Sequence, residues 1–121
     1  MIWDGTEKRK RVRVNLPCRI IIYPPQEEEI DAVINNISEG GIGLTLRKKL
    51  EVSTIVGLKI YEIVKTQPIL CKGIVRWVKS IESSQWKGDF FFNLGIEFYE
   101  IHDRDVLAIR NLIRLTISDR E

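Results

Sequence analysis

Two arginines near the start of the chain have a spacing that suits an anionic ligand. Arg9 and Arg13 form an RxxxR pattern, with Arg11 between them. Each guanidinium presents a planar fork of donors that matches a phosphate, or the O6 and N7 edge of guanine, in bidentate fashion. A run of Lys and Arg near a terminus is equally typical of a solvated, flexible segment. Taken alone, the pattern leaves both interpretations open.

A second polar pattern falls between two apolar stretches. It reads Asn36-x-Ser38-x-x-Gly41, with Gly43 after it. Short Asn and Ser side chains can address a base edge or a phosphate from a tight loop, and Gly permits positive φ or close backbone approach to a ligand. The same pattern is typical of an ordinary hairpin connector. The pattern alone therefore does not distinguish a binding turn from an ordinary connector.

The sequence shows no constellation for catalysis or metal binding. Cys18 and Cys71 lack a CxxC or Cys/His ligand pattern, so we predict two free, mostly buried thiols. His102 has no partner histidine at metal or triad spacing, and its place before a predicted helix favours a capping or surface role. The acidic groups occur mainly as a solvated run over 27–31. These features favour a binding protein over an enzyme, with no metal and no cofactor.

Length and charge fit one domain with a localised anionic partner. The chain has 121 residues, of which 44% are hydrophobic and 30% charged. No apolar stretch suggests a signal peptide or a membrane span, which predicts a cytoplasmic protein. The net charge is only +2, yet cations crowd residues 8–13 while acids come later. This asymmetry indicates an anionic partner at one place on the surface. A nucleic-acid-binding barrel that uses the basic run is an alternative, but the modest net charge makes it the weaker one.

The elements that must position these residues are mostly strands. Apolar side chains alternate with a period of two, which predicts strands at 11–23, 30–34, 42–46, 55–64, 69–79 and 90–99. We expect the second strand to end at Asn35-Asn36, because asparagines favour turns. After Tyr99 the apolar spacing becomes helical, and Asp103 and Asp105 suit a helix N-terminus, which predicts a helix over about 103–118. The fold class is mainly β: a six-stranded antiparallel β-barrel, Greek-key or meander, with a C-terminal α-helix.

In their order and context, the two polar patterns resemble the motifs of the PilZ domain family. That family has an RxxxR segment before the first barrel strand and a (D/N)xSxxG turn some way on, matched here by Arg9, Arg13, Asn36, Ser38 and Gly41. The resemblance continues in the stretches 73–78 and 95–98 and covers nearly the whole chain from about Glu7. It implies one PilZ-like domain over 9–121, with the barrel at about 11–99, after a flexible N-terminal segment over 1–8. An alternative register of the first motif makes Arg11 the reserve candidate.

The resemblance implies binding of the bacterial second messenger cyclic di-GMP. The RxxxR arginines would meet phosphates and guanine edges, while the NxSxxG residues would hold a guanine against the barrel. Gly43 and Arg76 are further candidates, and Trp77 and Trp3 suit half-buried packing better than stacking on a base. A receptor of this kind would change its conformation or its contacts with a downstream protein partner. The alternative within the family is a degenerate member that acts through protein contacts without a ligand.

Overall fold

The alternating apolar side chains build a barrel with a helix after it. The computed structural model describes residues 13–15, 18–82 and 90–120. Its elements are β1 (Arg19–Tyr23), β2 (Ile30–Ile37), β3 (Gly41–Leu46), β4 (Ile55–Ile60), β5 (Ile69–Glu82), β6 (Phe90–Glu100) and α1 (Asp103–Arg120). The predicted fold class, a six-stranded antiparallel β-barrel with a C-terminal helix, is confirmed.

The strand order resolves the choice between Greek key and meander. Around the barrel the order is β1-β2-β3-β6-β5-β4, and β4 pairs with β1 to close it. The strands thus form two three-stranded meanders, and the crossover from β3 to β4 brings β4 beside β1, which is the Greek-key order. Every neighbouring pair is antiparallel. Closure pairs the backbone polar groups around the ring and leaves no open sheet edge in the described barrel.

The barrel interior is filled by branched aliphatic side chains, as the alternation predicted. The inward positions include Ile20, Ile22, Ile34, Ile42, Leu44, Leu94 and Ile96, all buried. Helix α1 adds Ile109 and Ile113 to the same cluster. Leu115, which shares the apolar spacing of the helix, is instead 64% exposed. Burial of these side chains stabilises the fold by removing apolar surface from water.

Several predicted strand boundaries are wrong. Strand β1 begins at Arg19 and not at residue 11, although Val14 forms an isolated antiparallel bridge with Ile37; residues 11 and 12 lie outside the described residues. Strand β4 ends at Ile60, before a bend segment in which Glu62 adopts a φ of 73°. Strand β5 continues beyond the predicted end at 79, to Glu82.

The most informative correction concerns the end of β2. Asn35 and Asn36 do not stop the strand, which runs through them to Ile37. The register with β3 shifts between Ile34 and Asn36, which is the mark of a β-bulge or a similar irregularity. The shift lets the strand accept an extra residue without losing its inward side chains, since Ile34 and Ile37 are both buried.

The remaining predictions on single residues concern cysteine, histidine and membrane spans. Cys18 is buried and Cys71 half-buried, and both are free, as predicted. His102 is exposed, and its carbonyl accepts the N–H groups of Asp105 and Val106 at the start of α1. Within residues 13–15, 18–82 and 90–120, no helix has the length and apolar character needed to cross a membrane.

Candidate functional site

A transverse row of cross-strand partners lies on the outer face of the barrel. Asn36 pairs with Gly43, Gly43 with Gly95, and Gly95 with Trp77. The flanking residues of β3 and β6 point into the core, so the row points outward, because side chains alternate along a strand. Four strands, β2, β3, β6 and β5, thus contribute to one surface. We call these four residues the outer row.

Two glycines make the floor of the outer row. A Cβ added to Gly43 would come within 2.9 Å of Oδ1 and 3.0 Å of Nδ2 of Asn36, so the Asn36 amide would have to shift from its present position. A Cβ added to Gly95 would collide with the indole of Trp77. The glycines therefore let the Asn36 amide and the Trp77 ring lie over bare backbone. The indole remains 49% exposed, so one part of it packs and another faces solvent.

Arg13 joins this surface through a direct contact with Asn36. Its Nη1 donates a hydrogen bond to Oδ1 of Asn36 at 2.6 Å. The isolated bridge beside it holds the backbone in place, since Val14 and Ile37 exchange both N–H···O bonds, at 3.1 and 3.0 Å. The last arginine of RxxxR and the first residue of NxSxxG are thus neighbours in space. Both side chains are solvent-accessible, as a ligand contact requires.

Ser38 and Gly41 lie at the base of the turn. Ser38 is only 2% exposed, and its Oγ donates to the carbonyl of Gly41 at 3.3 Å and accepts from the N–H of Gly40 at 3.2 Å. A Cβ on Gly41 would collide with the carbonyl oxygen of Ile96, so a glycine lets β3 approach β6 there. In this geometry the Ser38 hydroxyl closes the turn, and Gly41 offers only backbone to the surface.

Two cavities flank the outer row and share Arg13 and Trp77. The turn-side cavity has a volume of about 180 Å³ and is also lined by Gly40, Gly41, Arg76, Gly95, Ile96 and Glu97. The asparagine-side cavity has a volume of about 290 Å³ and is also lined by Asn35, Asn36, Gly43, Leu44 and Asn93. Arg13 therefore stands between two recesses and can present its guanidinium to either one.

Arg76 lies in the turn-side cavity, where it is paired with Glu97. Its Nε donates to Oε1 of Glu97 at 2.5 Å, and both side chains are about half exposed. Arg76 was a site candidate from the sequence, whereas Glu97 was not, because it resembles an ordinary outward strand residue. The strand alternation in the sequence could have identified Glu97, because it places Glu97 on the same outward face as Gly95.

A chain of polar side chains crosses the sheet at the other cavity. Nδ2 of Asn35 donates to Oγ1 of Thr45 at 2.7 Å, and Oγ1 of Thr45 donates to Oδ1 of Asn93 at 2.8 Å. None of these three residues was a site candidate from the sequence. These side chains suit a ligand edge that carries both donors and acceptors, since asparagine offers both.

The other sequence candidates for the site lie outside the described residues. These are Arg9, Arg11 and Trp3, together with the N-terminal segment over 1–8. Of the first motif, the structure therefore describes Arg13. Of the second, it describes every member, and it adds Gly43 and Arg76 to the same surface.

The family model of the PilZ domain matches residues 7–116, which is nearly the whole chain. The chain belongs to the PilZ domain family. The match extends across the barrel and most of α1, so the outer row lies on the outer face of a PilZ barrel. No curated protein matches the chain.

Solved structures share the fold of this PilZ domain at low sequence identity. The Bacillus subtilis inhibitor of motility, MotI/DgrA, is 24% identical with a TM-score of 0.73, and the alignment covers 93% of this chain and 53% of that one. The K. pneumonia MrkH–c-di-GMP complex is 18% identical with a TM-score of 0.70, covering 93% and 53%. The PilZ domain with c-di-GMP of YcgR from Escherichia coli is 12% identical with a TM-score of 0.67, covering 93% and 97%. The present chain thus spans about half the length of the first two.

Proposed function

We propose that this PilZ domain is a receptor for cyclic di-GMP, which binds across the outer row and its two cavities. The observation that carries the proposal is the hydrogen bond between Arg13 and Asn36, because it joins the two motifs into one surface. Two of the similar solved structures, those of MrkH and of the YcgR PilZ domain, hold c-di-GMP. Their likeness to this chain supports the choice of ligand.

The charges of the site suit the phosphates of this ligand. Cyclic di-GMP is a dianion, and the Arg13 guanidinium between the two cavities can pair with a phosphate in bidentate geometry. Arg9 is our candidate for a second fork from the same motif, with Arg11 in reserve. They come four and two residues before Arg13 in the sequence.

The bases of the ligand find polar and aromatic partners beside Arg13. The Asn36 amide carries both a donor and an acceptor for a guanine edge. The half-exposed indole of Trp77 offers a ring face to a base, although its sequence context favours packing over stacking. Ser38 and Gly41 act on the ligand by shaping the turn, and Gly43 by leaving room for Asn36.

The proposed function is that of a receptor and effector without catalysis. Ligand binding would alter the surface of the domain or its contacts with a downstream protein partner. The turn offers a route for this effect, because Glu39, between Ser38 and Gly40, is paired with Arg110 of α1. A ligand that tightens the turn would thereby act on the position of the helix.

Isothermal titration calorimetry tests the proposal directly. We expect saturable binding of cyclic di-GMP, with much weaker binding of cyclic di-AMP and of the linear guanine dinucleotide. Cyclic di-AMP is the matched control, since it has the same ring and charge but different base edges. An absence of heat at high micromolar protein would refute the proposal, and so would equal affinity for the adenine analogue.

A further inference from the structure

The turn-side cavity contains a carboxylate that a simple phosphate site would exclude. Glu97 lines this cavity together with Arg13 and Arg76. A carboxylate a few ångströms from a bound phosphate raises the free energy of the complex, because like charges repel and low-dielectric surroundings strengthen the repulsion. The composition of the cavity therefore favours a neutral ligand group with donors at the Glu97 end, and places the phosphates nearer Arg13.

The position of Glu97 is fixed by its strand and by its partner. Its backbone pairs with Gly41 on one side and with Ile74 on the other, so it stands directly beside the NxSxxG turn. The ion pair with Arg76 orients the carboxylate. Arg76 itself lies where the β5–β6 register shifts between Val75 and Trp77, which turns its side chain toward the cavity.

The pair offers complementary hydrogen-bonding groups to one base edge. A carboxylate is an acceptor at both oxygens with about four lone-pair sites, so the bond to Nε of Arg76 leaves it further capacity. A guanidinium has five N–H donors, of which this bond uses one. Guanine presents N1–H and a 2-amino group as donors beside the acceptor O6. The two donors of guanine therefore match the carboxylate of Glu97, and its acceptor O6 matches the guanidinium of Arg76.

We propose that Glu97 is a specificity-determining residue that selects guanine in the turn-side cavity, with Arg76 as its positioning residue. This inference rests on the proposed cyclic di-GMP function and names the group that discriminates the base. Glu97 accepts from N1–H and the 2-amino group, while Arg76 donates to O6. Adenine presents a lone pair at N1, a 6-amino donor in place of O6 and no 2-amino group, so its N1 repels the carboxylate and its 6-amino group meets the donors of Arg76.

The test measures base selectivity in Glu97 variants by calorimetry. The probes are cyclic di-GMP, cyclic di-AMP and the inosine analogue cyclic di-IMP, which lacks only the 2-amino groups. For Glu97→Ala we expect the preference for cyclic di-GMP over each analogue to fall on the order of tenfold. For Glu97→Gln we expect affinity for cyclic di-AMP to rise, because a side-chain amide can donate to N1 of adenine.

Glu100 provides the matched control on the same strand. It forms an ion pair with Lys72 at 3.5 Å and lines neither cavity, so Glu100→Ala and Glu100→Gln should keep the selectivity of the parent. Circular dichroism melts check the fold of each variant, and Glu97→Gln keeps the side-chain volume if Glu97→Ala unfolds.

Different outcomes overturn the inference and the proposed function separately. If the parent prefers cyclic di-GMP but the Glu97 variants keep the full preference, Glu97 does not select the base and the inference is wrong. If Glu97→Ala binds all three dinucleotides more tightly by one common factor, Glu97 only repels the dianion and the inference is again wrong. If the parent binds none of them, the proposed function fails and the inference falls with it.

Discussion

Arg110 of α1 lies against Glu39 of the NxSxxG turn, with Nε and Oε1 3.0 Å apart. The two side chains are 39% and 32% exposed, so the pair is less screened by water than the other ion pairs of the described barrel. It joins the C-terminal helix to a turn that is far away in sequence and that shapes the outer row. The helix is therefore attached to the candidate site by charge as well as by apolar packing.

Removal of this contact should loosen the helix. We expect Arg110→Ala to lower the free energy of unfolding in urea by about 1 kcal/mol, through lost pairing and lost packing of the aliphatic stem. Arg114→Ala is the control, because Arg114 is an exposed arginine one turn further along, and should change stability by less than about 0.5 kcal/mol. Equal effects of the two substitutions would show that the Glu39 contact contributes nothing.

Arg13→Ala should weaken cyclic di-GMP binding by about 2 kcal/mol or more while leaving the fold intact. The guanidinium contacts Asn36 and both cavities but is not in the core. Arg19→Ala is the control, since Arg19 is also outward-facing but stacks on Tyr61, with its Cζ 4.9 Å from the ring centroid. If the melting curve of Arg13→Ala collapses, or if Arg19→Ala weakens binding as much, the assignment is wrong.

The core and the order of the elements could be predicted from the sequence because they follow local burial. Ile20 and Ile22, like Leu94 and Ile96, are buried and lie two residues apart in one strand, and this period of two requires no knowledge of neighbouring strands. Ile109 and Ile113 are four residues apart on the helix, and this helical spacing is equally local. Leu115 was misleading, since its spacing is helical but it stays exposed among the described elements.

The end of β2 and the outer row could not be predicted, because both depend on pairing across the sheet. Asn36 favours a turn by composition, yet it is kept in the strand by a register shift and by its bond to Arg13. Trp77 meets Gly95, and Gly95 meets Gly43, only because β6 lies between β3 and β5. The motifs identified Arg13 and Asn36, whereas the alternation gives only the outward face of Glu97, and the strand pairing places it beside Gly41 of the turn.

Gly43→Ala should reduce affinity for cyclic di-GMP by displacing the Asn36 side chain. The new methyl group would lie 2.9 to 3.2 Å from three atoms of the amide, which must shift and thereby disturb its bond to Arg13. Gly57→Ala is the control, because its Cβ would lie at an ordinary 3.4 Å from Cβ of Tyr23 on another part of the barrel. Calorimetry should show several-fold weaker binding for Gly43→Ala alone; similar affinities for both variants would contradict the proposed role of Asn36.

Cys71 should make the fold sensitive to alkali. Burial, and secondarily the carboxylate of Asp105, raises the pKa of its thiol from 9.0 to about 12. The folded state keeps the thiol neutral, whereas the unfolded chain releases its proton above about pH 9. This contribution to stability is therefore complete below about pH 9 and is lost progressively toward pH 12. Urea unfolding at a series of pH values gives the free energy of unfolding of the parent and of Cys71→Ala. Between about pH 9 and pH 12 this free energy should fall less for Cys71→Ala than for the parent. Parallel curves for the two proteins would show that Cys71 does not cause the sensitivity.

Salt dependence separates a receptor for a dinucleotide from a barrel that binds nucleic acid. A strand or duplex releases many counterions, so its affinity should fall steeply with salt and any single Arg→Ala should have a modest effect. A compact dianion offers only two phosphates, which predicts a shallow slope of log affinity against log salt, no steeper than about −2. Asn36→Ala should weaken cyclic di-GMP binding, because the amide lies in the outer row, and should leave any weak DNA association unchanged. Tighter binding of DNA than of the dinucleotide at physiological salt, with Asn36→Ala and Ser38→Ala both behaving like the parent, would replace the receptor hypothesis with the nucleic-acid one.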